Sequence, residues 1–272
     1  MFNWVKKLFN KPVKPALCGG GVIGPDKPDE RDWEYKKFDS HEQILSGLAG
    51  IGEPEEFMFD RSYLGGILNQ GMTNSCTGHG SATLANIMIS RTLNAPDNYG
   101  VNPFYIYWHA RQLGGLGNED CGAYVRDAMK ALQKYGAARL SYSNPYRAPV
   151  GVDVEKTFKI KDYQRIWTGD IAKMKYALAV EKLPILISFN VINADIDNYT
   201  GIVAGKNTNA QSSGYHCVVL IGFKKIDGEL YFIAANSWGR MQGDGGLYYI
   251  HESYFKSSYL APDIWTCTYN YF

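Results

Sequence analysis

The chain has 272 residues, 45% of them hydrophobic, and its 28 Lys and Arg against 27 Asp and Glu leave a formal charge of +1. This length fits one large domain or two modest lobes, since domains of about 150 residues are common. The composition excludes a disordered chain, which would be poor in hydrophobic residues. The near-zero charge argues against a nucleic-acid partner, because such binders carry a basic surplus.

The N-terminal residues give no targeting signal. Lys6, Lys7, Lys11 and Lys14 interrupt the apolar residues there, so a secretory signal with its run of about 7–15 apolar residues is not expected. No stretch approaches the roughly 18 apolar residues of a transmembrane span. The aromatic and aliphatic residues within 2–9 predict one apolar helix face, which packs on its own protein or docks to a larger assembly.

Helices dominate the predicted first half and strands the second. Gly and Pro over 12–30 predict a linker. Helical patterns cover 40–50, the residues from Ser75 onward, 103–113, 123–135, and 170–181 with Asp170 as the N-cap. Strand patterns cover 183–191, 215–223, 230–236 and 246–250, separated by turn signals such as Asp227-Gly228.

Five cysteines are present, namely Cys18, Cys76, Cys121, Cys217 and Cys267. No Cys-x-x-Cys pair occurs, so no structural metal site is expected. The odd number and wide spacing also argue against a disulfide framework, which favours a reducing compartment. We therefore expect a cytoplasmic protein, and any single cysteine is by default a small buried hydrophobe.

Cys76 is the candidate nucleophile, because the run Q-G-M-T-N-S-C places it where a loop becomes a helix. A helix N-terminus carries partial positive charge, which favours a thiolate. Its unsatisfied backbone N–H groups can receive an oxyanion, and the side-chain amide of Gln70 can be presented to the same point. An ordinary buried cysteine at a helix start remains an open alternative on this pattern alone.

The partner residues lie in the second half. His216 begins one strand-like run, and Asn236 ends the next. If these strands are hairpin neighbours, both side chains meet at one end of the sheet. The Asn oxygen can then accept the imidazole N–H and fix the tautomer that faces the thiol. Such a set contains a nucleophile, a base and an orienting group.

These blocks resemble the papain-like cysteine peptidases. The family's active-site block is similar to residues 70–76, its His block to 216–222 and its Asn block to 236–239, in family order. The likeness covers 54–272. It is strongest to the bacterial, archaeal and viral branch, where a Thr such as Thr77 often follows the nucleophile.

The resemblance implies an α+β, papain-like two-lobe fold with the active cleft between the lobes. The helical left lobe would occupy about 54–160, and the right lobe, an antiparallel β-sheet or barrel, about 161–272. Residues 1–53 would form an N-terminal extension, which is a hypothetical inhibitory segment over the cleft or a docking segment.

The implied function is that of a cysteine endopeptidase, which hydrolyses peptide or protein substrates through Cys76, His216, Asn236 and a thioester acyl-enzyme. No metal or organic cofactor is needed for this chemistry. The resemblance places Gln70 and the Cys76 N–H in the oxyanion hole, and Trp238 over the His216–Asn236 bond as a shield. Substrate binding is expected at Gly122, Ala123 and Tyr215.

Two departures from the family pattern precede the nucleophile. Thr73 stands where secreted members have a cysteine, so their usual disulfide cannot form. Asn74 stands where Gly is common, and Asn tolerates the same left-handed backbone. His79, three residues after Cys76, is expected to face the core rather than the reaction.

Alternative functions share the same fold. One is a catalytically silent or packaged structural component of a viral particle, and another is a cell-wall peptide amidase or transpeptidase. The branch of the family likewise suggests a bacterial or virus-encoded protein, and virion association is the alternative to a cytoplasmic location.

Overall fold

The computed structural model describes residues 21–32, 34, 41–52, 54–94, 100–139, 144–153 and 157–269. The candidate docking face at 2–9 lies outside the described residues, as does the 12–20 part of the proposed linker. Within the described residues, no helix has the length and apolar character needed to cross a bilayer.

Five α-helices occur in the described part of the chain, and all coincide with helical patterns of the sequence. They are α1 (His41–Gly50), α2 (Cys76–Leu93), α3 (Pro103–Leu113), α4 (Val125–Lys134) and α5 (Ile171–Ala179). The start of α3 is fixed by Asn102, whose Oδ1 accepts from the N–H groups of Phe104 and Tyr105, with Pro103 at the first helical position. Asp170 caps α5 as predicted, accepting from the N–H of Lys173 at 3.3 Å.

Helix α2 lies at the centre of the molecule, and every residue from 76 to 90 is buried. Two glycines allow this position, because a side chain there would collide with a neighbour. A Cβ on Gly78 would lie 2.6 Å from the Cβ of Tyr107 in α3, and one on Gly80 would lie 2.9 Å from a Leu186 methyl group. Close packing on both sides therefore fixes where the first residue of α2 lies.

The strands form one eight-stranded sheet with β2-β8-β3-β5-β6-β7-β4 as its order and β1 added beside β5. They are β1 (Phe57–Met58), β2 (Asp162–Arg165), β3 (Ile185–Asn190), β4 (Ile202–Val203), β5 (Tyr215–Ile226), β6 (Glu229–Ala235), β7 (Leu247–His251) and β8 (Asp263–Thr268). The neighbours pair antiparallel, apart from β4 and β7, which are parallel. The expected α+β fold class is confirmed.

The hairpin of β5 and β6 forms at the predicted turn. Asp227 and Gly228 have φ of 52° and 84°, the left-handed conformation that a two-residue hairpin turn requires. The paired residues run from Ile226 with Glu229 to Val219 with Ala235. This register brings the start of β5 beside the end of β6, where the candidate site lies.

Candidate active site

Cys76 is the first residue of α2 and is completely buried. Its thiol faces the backbone N–H groups of Cys76, Thr77 and Cys217, and these contacts favour the thiolate. Burial outweighs them and raises the pKa of the Cys76 thiol to about 12. Because Cys217 directly follows His216 in β5, the start of α2 lies against the strand that carries the candidate base.

His216 is 1% exposed, and its Nε2 lies 2.7 Å from Oδ1 of Asn236. The backbone N–H of Ser237 donates to the same Oδ1 at 2.7 Å, which identifies that atom as the acceptor of the amide. Nε2 of His216 must therefore carry the proton, and in the neutral ring Nδ1 is the basic nitrogen. The orienting contact predicted from the sequence is present.

The sheet brings these side chains together through its register. His216 lies in β5 opposite Phe189 of β3, and Asn236 directly follows Ala235, the last residue of β6 that pairs with β5, so the two side chains meet at this end of the sheet. The ring of Trp238 stacks on that of His216 with centroids 4.6 Å apart and an interplanar angle of 25°. This placement agrees with a shield over the His216–Asn236 bond.

Tyr248 in β7 extends this set of polar contacts, and only its strand position could be predicted from the sequence. Its hydroxyl hydrogen-bonds to Asn236 and donates to Oδ1 of Asn198 at 2.9 Å. Burial raises the pKa of Tyr248 to about 12, so the hydroxyl stays protonated. The amide of Asn236 is thus held from the side opposite His216.

Gln70 is held between the nucleophile loop and the Asn236 loop. Its Nε2 donates to the carbonyl of Thr73 at 2.8 Å, and its Oε1 accepts from the Ser237 hydroxyl at 2.7 Å. The backbone N–H of Gln70 also donates to the carbonyl of Ser237 at 2.9 Å. The amide is therefore oriented before any ligand binds.

Residues 21–26 run along the cleft, and for these residues the linker prediction is wrong. The N–H of Val22 donates to the carbonyl of Tyr215 at 3.3 Å, and the N–H of Ala123 donates to the carbonyl of Gly21 at 3.3 Å. Gly21 has φ of 79°, and a Cβ there would lie 2.8 Å from the sulfur of Cys76. The expected substrate-binding edges are thus paired with the protein's own chain, directly over the thiol.

Asp26 anchors the far end of this segment in a buried position. Its carboxylate accepts from the N–H of Arg126 at the start of α4 and from the indole of Trp265 at 3.0 Å. Its own N–H donates to the carboxylate of Asp263 at 3.1 Å. Burial, with the Asp263 carboxylate as the second cause, raises the pKa of Asp26 to about 8.

Further charged groups complete this anchor. The guanidinium of Arg126 pairs with Asp32, and that of Arg165 lies 3.7 Å from Asp32 and 3.3 Å from Asp263. Three largely buried carboxylates, counting Asp26, therefore face two guanidinium groups. One retained proton balances the cluster, which agrees with the raised pKa of Asp26.

Asn74 does not use the left-handed backbone that its residue type tolerates, since the non-glycine residues with positive φ in the described part of the chain are Asn94, Lys182 and Asp227. Its N–H instead donates to both carboxylate oxygens of Asp120 at 3.1 Å. The sequence assigned no role to Asp120, although residues 120–127 resemble a segment of the same branch of the family.

His79 lies in the core, as expected. It is 2% exposed, its Nδ1 lies 2.9 Å from the Ser75 carbonyl, and burial lowers its pKa to about 4.

Among the described residues, no group of three or more His, Cys, Asp or Glu side chains is arranged to hold a metal ion.

The model of the papain family cysteine proteases matches residues 105–263, more than half of the chain. The chain belongs to the papain family. The matched range includes Tyr215, His216 and Asn236 and begins after Cys76. Membership makes this chain an enzyme that hydrolyses peptide bonds, with peptides or proteins as its substrates.

Known relatives of this papain-family chain include viral and bacterial proteins, which confirms the branch suggested by the sequence. An uncharacterised peptidase C1-like protein of Acanthamoeba polyphaga mimivirus is 28% identical over 215 residues, 73% of this chain and 68% of that protein. The crystal structure of xylellain, a cysteine protease from Xylella fastidiosa, superposes with a TM-score of 0.73 and 25% identity, covering 93% of this chain and 97% of the other. Procathepsin L 3 of Tenebrio molitor shares the fold, with a TM-score of 0.68 and 15% identity over 93% of this chain and 77% of its own.

Proposed function

We propose that the protein is a cysteine endopeptidase that uses Cys76, His216 and Asn236, and that residues 21–26 inhibit it by occupying its cleft. The observation that carries the catalytic assignment is the oriented imidazole. Nε2 of His216 is committed to Asn236, whose acceptor oxygen is identified by the Ser237 N–H. The basic Nδ1 then serves the thiol at the start of α2.

In the proposed reaction, the sulfur of Cys76 attacks the carbonyl carbon of the scissile peptide bond, and the thiol proton passes to Nδ1 of His216. A C–S bond forms, the C–N bond breaks, and the imidazolium gives its proton to the leaving amine. Water then attacks the carbonyl carbon of the thioester and gives a proton to His216. The C–S bond breaks, the imidazolium returns this proton to the sulfur of Cys76, and the carboxylic acid product leaves.

The oxyanion formed in each step would be stabilised by the backbone N–H of Cys76 and by Nε2 of Gln70. Removal of one such donor costs about 3–4 kcal/mol of transition-state stabilisation in well-studied enzymes. The contacts of Gln70 with Thr73 and Ser237 support this role, because an oriented amide needs no reorganisation during the reaction.

Inhibition by the segment is supported by its contacts and by the state of the thiol. Val22 is 5% exposed between the two cleft edges, and Gly21 lies against the sulfur. With the pKa of Cys76 raised to about 12, the sulfur is a neutral thiol and a poor nucleophile. Several structural neighbours are described as procathepsins, in agreement with a proform. Residues 54–272 would then be the peptidase domain and 1–53 its regulatory extension.

The test is covalent labelling of the full chain by an epoxysuccinyl peptide inhibitor, read by intact mass and peptide mapping. We compare the unmodified protein with Gly21→Val, whose side chain cannot fit between Asn74 and Cys76. We expect one adduct on Cys76, formed at least about tenfold faster in Gly21→Val, and no adduct after His216→Ala. Gly24→Ala is the matched control, since a Cβ there meets nothing within 4 Å.

The outcomes separate the two parts of the proposal. Absence of an adduct in both folded proteins would reject the catalytic assignment and favour the silent structural alternative. Equal rates in the two proteins would reject inhibition by residues 21–26 and leave the catalytic assignment intact.

A further inference from the structure

Two loops of the helical side are joined just before the nucleophile. The N–H of Asn74 donates to both carboxylate oxygens of Asp120 at 3.1 Å, and Nδ2 of Asn74 donates to the Asp120 carbonyl at 2.8 Å. Asn74 is two residues before Cys76. Both the main chain and the side chain of Asn74 therefore attach the backbone ahead of α2 to residues 114–124, the loop between α3 and α4. We call this loop the Asp120 loop.

Tyr107 of α3 connects the same carboxylate to the substrate edge. Its hydroxyl donates to Oδ1 of Asp120 at 2.6 Å and accepts from the N–H of Gly122 at 3.0 Å. The Tyr107 side chain is fully buried. Burial and the Asp120 carboxylate raise its pKa, so the hydroxyl keeps the proton that it donates.

Arg111 lies one helical turn after Tyr107 in α3 and contacts the residues that precede Asp120. Its guanidinium lies 4.3 Å from the centre of the Tyr107 ring and donates to the carbonyls of Asn118 and Glu119. Two side chains of α3 thus hold the loop: Arg111 holds residues 118 and 119, and Tyr107 holds Asp120 and Gly122. This arrangement turns α3 into a rigid support for both the nucleophile and the substrate edge.

The charge of Asp120 is unfavourable for the chemistry, and this makes its presence informative. Burial is the main cause of the raised pKa of the Cys76 thiol, and the Asp120 carboxylate adds to it, whereas catalysis needs the thiolate. Residues that violate a local rule near a site usually serve another need there. Here that need is positional, because a carboxylate can accept the Asn74 N–H and the Tyr107 hydroxyl at once.

We propose that Asp120 is a positioning residue, which sets the backbone ahead of Cys76 and, through Tyr107, holds it in register with the Gly122 edge. The inference rests on the proposed function, since it assigns the support of the same site. It predicts that loss of Asp120 displaces the thiol of Cys76. It also predicts that loss of the Tyr107 hydroxyl loosens the substrate edge at Gly122.

The chain offers a matched control with the same donors at another place. Asp195 accepts from the N–H groups of Lys206 and Asn207 and from the hydroxyl of Tyr254 at 3.1 Å. Asp195 and Tyr254 are both buried, with 4% and 0% of their surface exposed. Substitution there removes equivalent contacts without touching the Asn74 backbone.

The experiment measures inactivation by the epoxysuccinyl inhibitor in full-chain protein. Every variant also carries Gly21→Val, which displaces residues 21–26 from the thiol, so that these residues do not affect the measured rates. Asp120→Ala should lower the limiting rate of inactivation about 10- to 100-fold, the loss expected for hydrogen bonds to a charged group, with half-saturation changed less than about threefold. Tyr107→Phe should raise the half-saturating concentration about three- to tenfold. Asp195→Ala and Tyr254→Phe should lower the melting temperature while leaving both constants within about twofold.

Asp120→Asn supplies a readout that a purely structural role would not move. It keeps an acceptor for Asn74, so the limiting rate should recover to within about threefold of the parent. It also removes the charge that raises the pKa of Cys76, so the acid limb of the rate–pH profile should move to lower pH. An unmoved profile, or an Asp120→Ala rate equal to that of Asp195→Ala, would overturn the inference. A parent protein that is not labelled at all would instead reject the proposed function.

Discussion

The two walls of the cleft hold the proposed catalytic side chains by different means. On the helical wall, Cys76 is positioned by side-chain hydrogen bonds between loops, chiefly those of Asp120 with Asn74 and Tyr107. On the sheet wall, His216 is held in the backbone ladder of β5 with β3, and Asn236 directly follows the β6 ladder with β5. The helical wall depends on a few side chains, whereas the sheet wall depends on many repeated backbone contacts.

This difference has a consequence for the response to substitution. A ladder distributes its contacts over many residues, so losing one side chain leaves the register intact. A loop held by one carboxylate loses its position when that carboxylate is removed. We therefore expect substitutions in the sheet wall to act on the chemistry directly, and those behind the helical wall to act through geometry.

The largest effect should come from the reactive side chains themselves, one on each wall. Cys76→Ala and His216→Ala should each lower kcat/KM for a fluorogenic peptide by about 10⁴-fold or more, and the double variant should lose little more, because the two act as a unit. Cys121→Ala, a change of the half-buried cysteine on the Asp120 loop, serves as the control and should retain activity. More than about a hundredth of the original rate in Cys76→Ala would contradict the assignment.

A second effect, about 100-fold in kcat, is expected for Asn236→Ala, since a hydrogen bond that orients a charged imidazolium contributes about 2–3 kcal/mol. The register of β6 should survive, so the melting temperature should change little. Asn198→Ala removes the side chain that accepts the hydrogen bond of the Tyr248 hydroxyl, and should lower kcat less than about tenfold. Equal losses in both variants would show that the ladder alone does not position His216.

The third effect concerns the segment that bridges both walls, and it depends on pH. The pKa of Asp26 is about 8 with the segment in place, above its value in a released, exposed segment. Docking therefore takes up a proton, is strongest in acid, and weakens as pH rises towards about 8, by at most about tenfold per pH unit. The labelling rate of Cys76 relative to that of Gly21→Val should rise over this range, and the ratio cancels the titration of the catalytic groups.

Two variants sharpen this pH test. Asp26→Asn keeps the shape of the neutral acid, so its rate ratio should be independent of pH. Asp29→Asn changes a half-buried carboxylate beyond residues 21–26 that pairs with the exposed Arg31, and should retain the pH dependence of the parent. A ratio that falls with rising pH, or one unaltered by Asp26→Asn, would exclude the Asp26 anchor as its origin.

The smallest effects are on stability and compare the two faces of α2. Ala at Gly78 would press on the Cβ and backbone of Tyr107, whereas Ala at Gly80 would press on a movable Leu186 methyl group. We expect losses in unfolding free energy of about 3 kcal/mol and about 1 kcal/mol, respectively, from denaturant titrations. Gly50→Ala, where a Cβ meets nothing within 4 Å, should be neutral. The reverse order for Gly78 and Gly80 would mean that the sheet face is the rigid one.

The local elements and the candidate residues could be predicted from patterns within short stretches of the chain. Cys76 at a helix start, and His216 and Asn236 on a tight hairpin, follow from helical periodicity, strand runs and the Asp227-Gly228 turn, since each depends on residues close in the chain. Strands β1, β2 and β4 escaped prediction because two to four residues carry too little periodicity to be distinguished from loops. Strand β8, with six residues, was also missed.

Only the tertiary structure decided what covers and supports the site. The contact of Asp26 with Asp263 joins residues 237 positions apart, that of Asn74 with Asp120 joins residues 46 apart, and Gly21 reaches Cys76 across the cleft. No local propensity encodes such pairs, because each forms only after α2, α3 and the sheet have packed and brought distant segments together. For the same reason, a Gly/Pro-rich stretch that predicts a linker becomes, in the folded protein, the strand-like cover of the nucleophile.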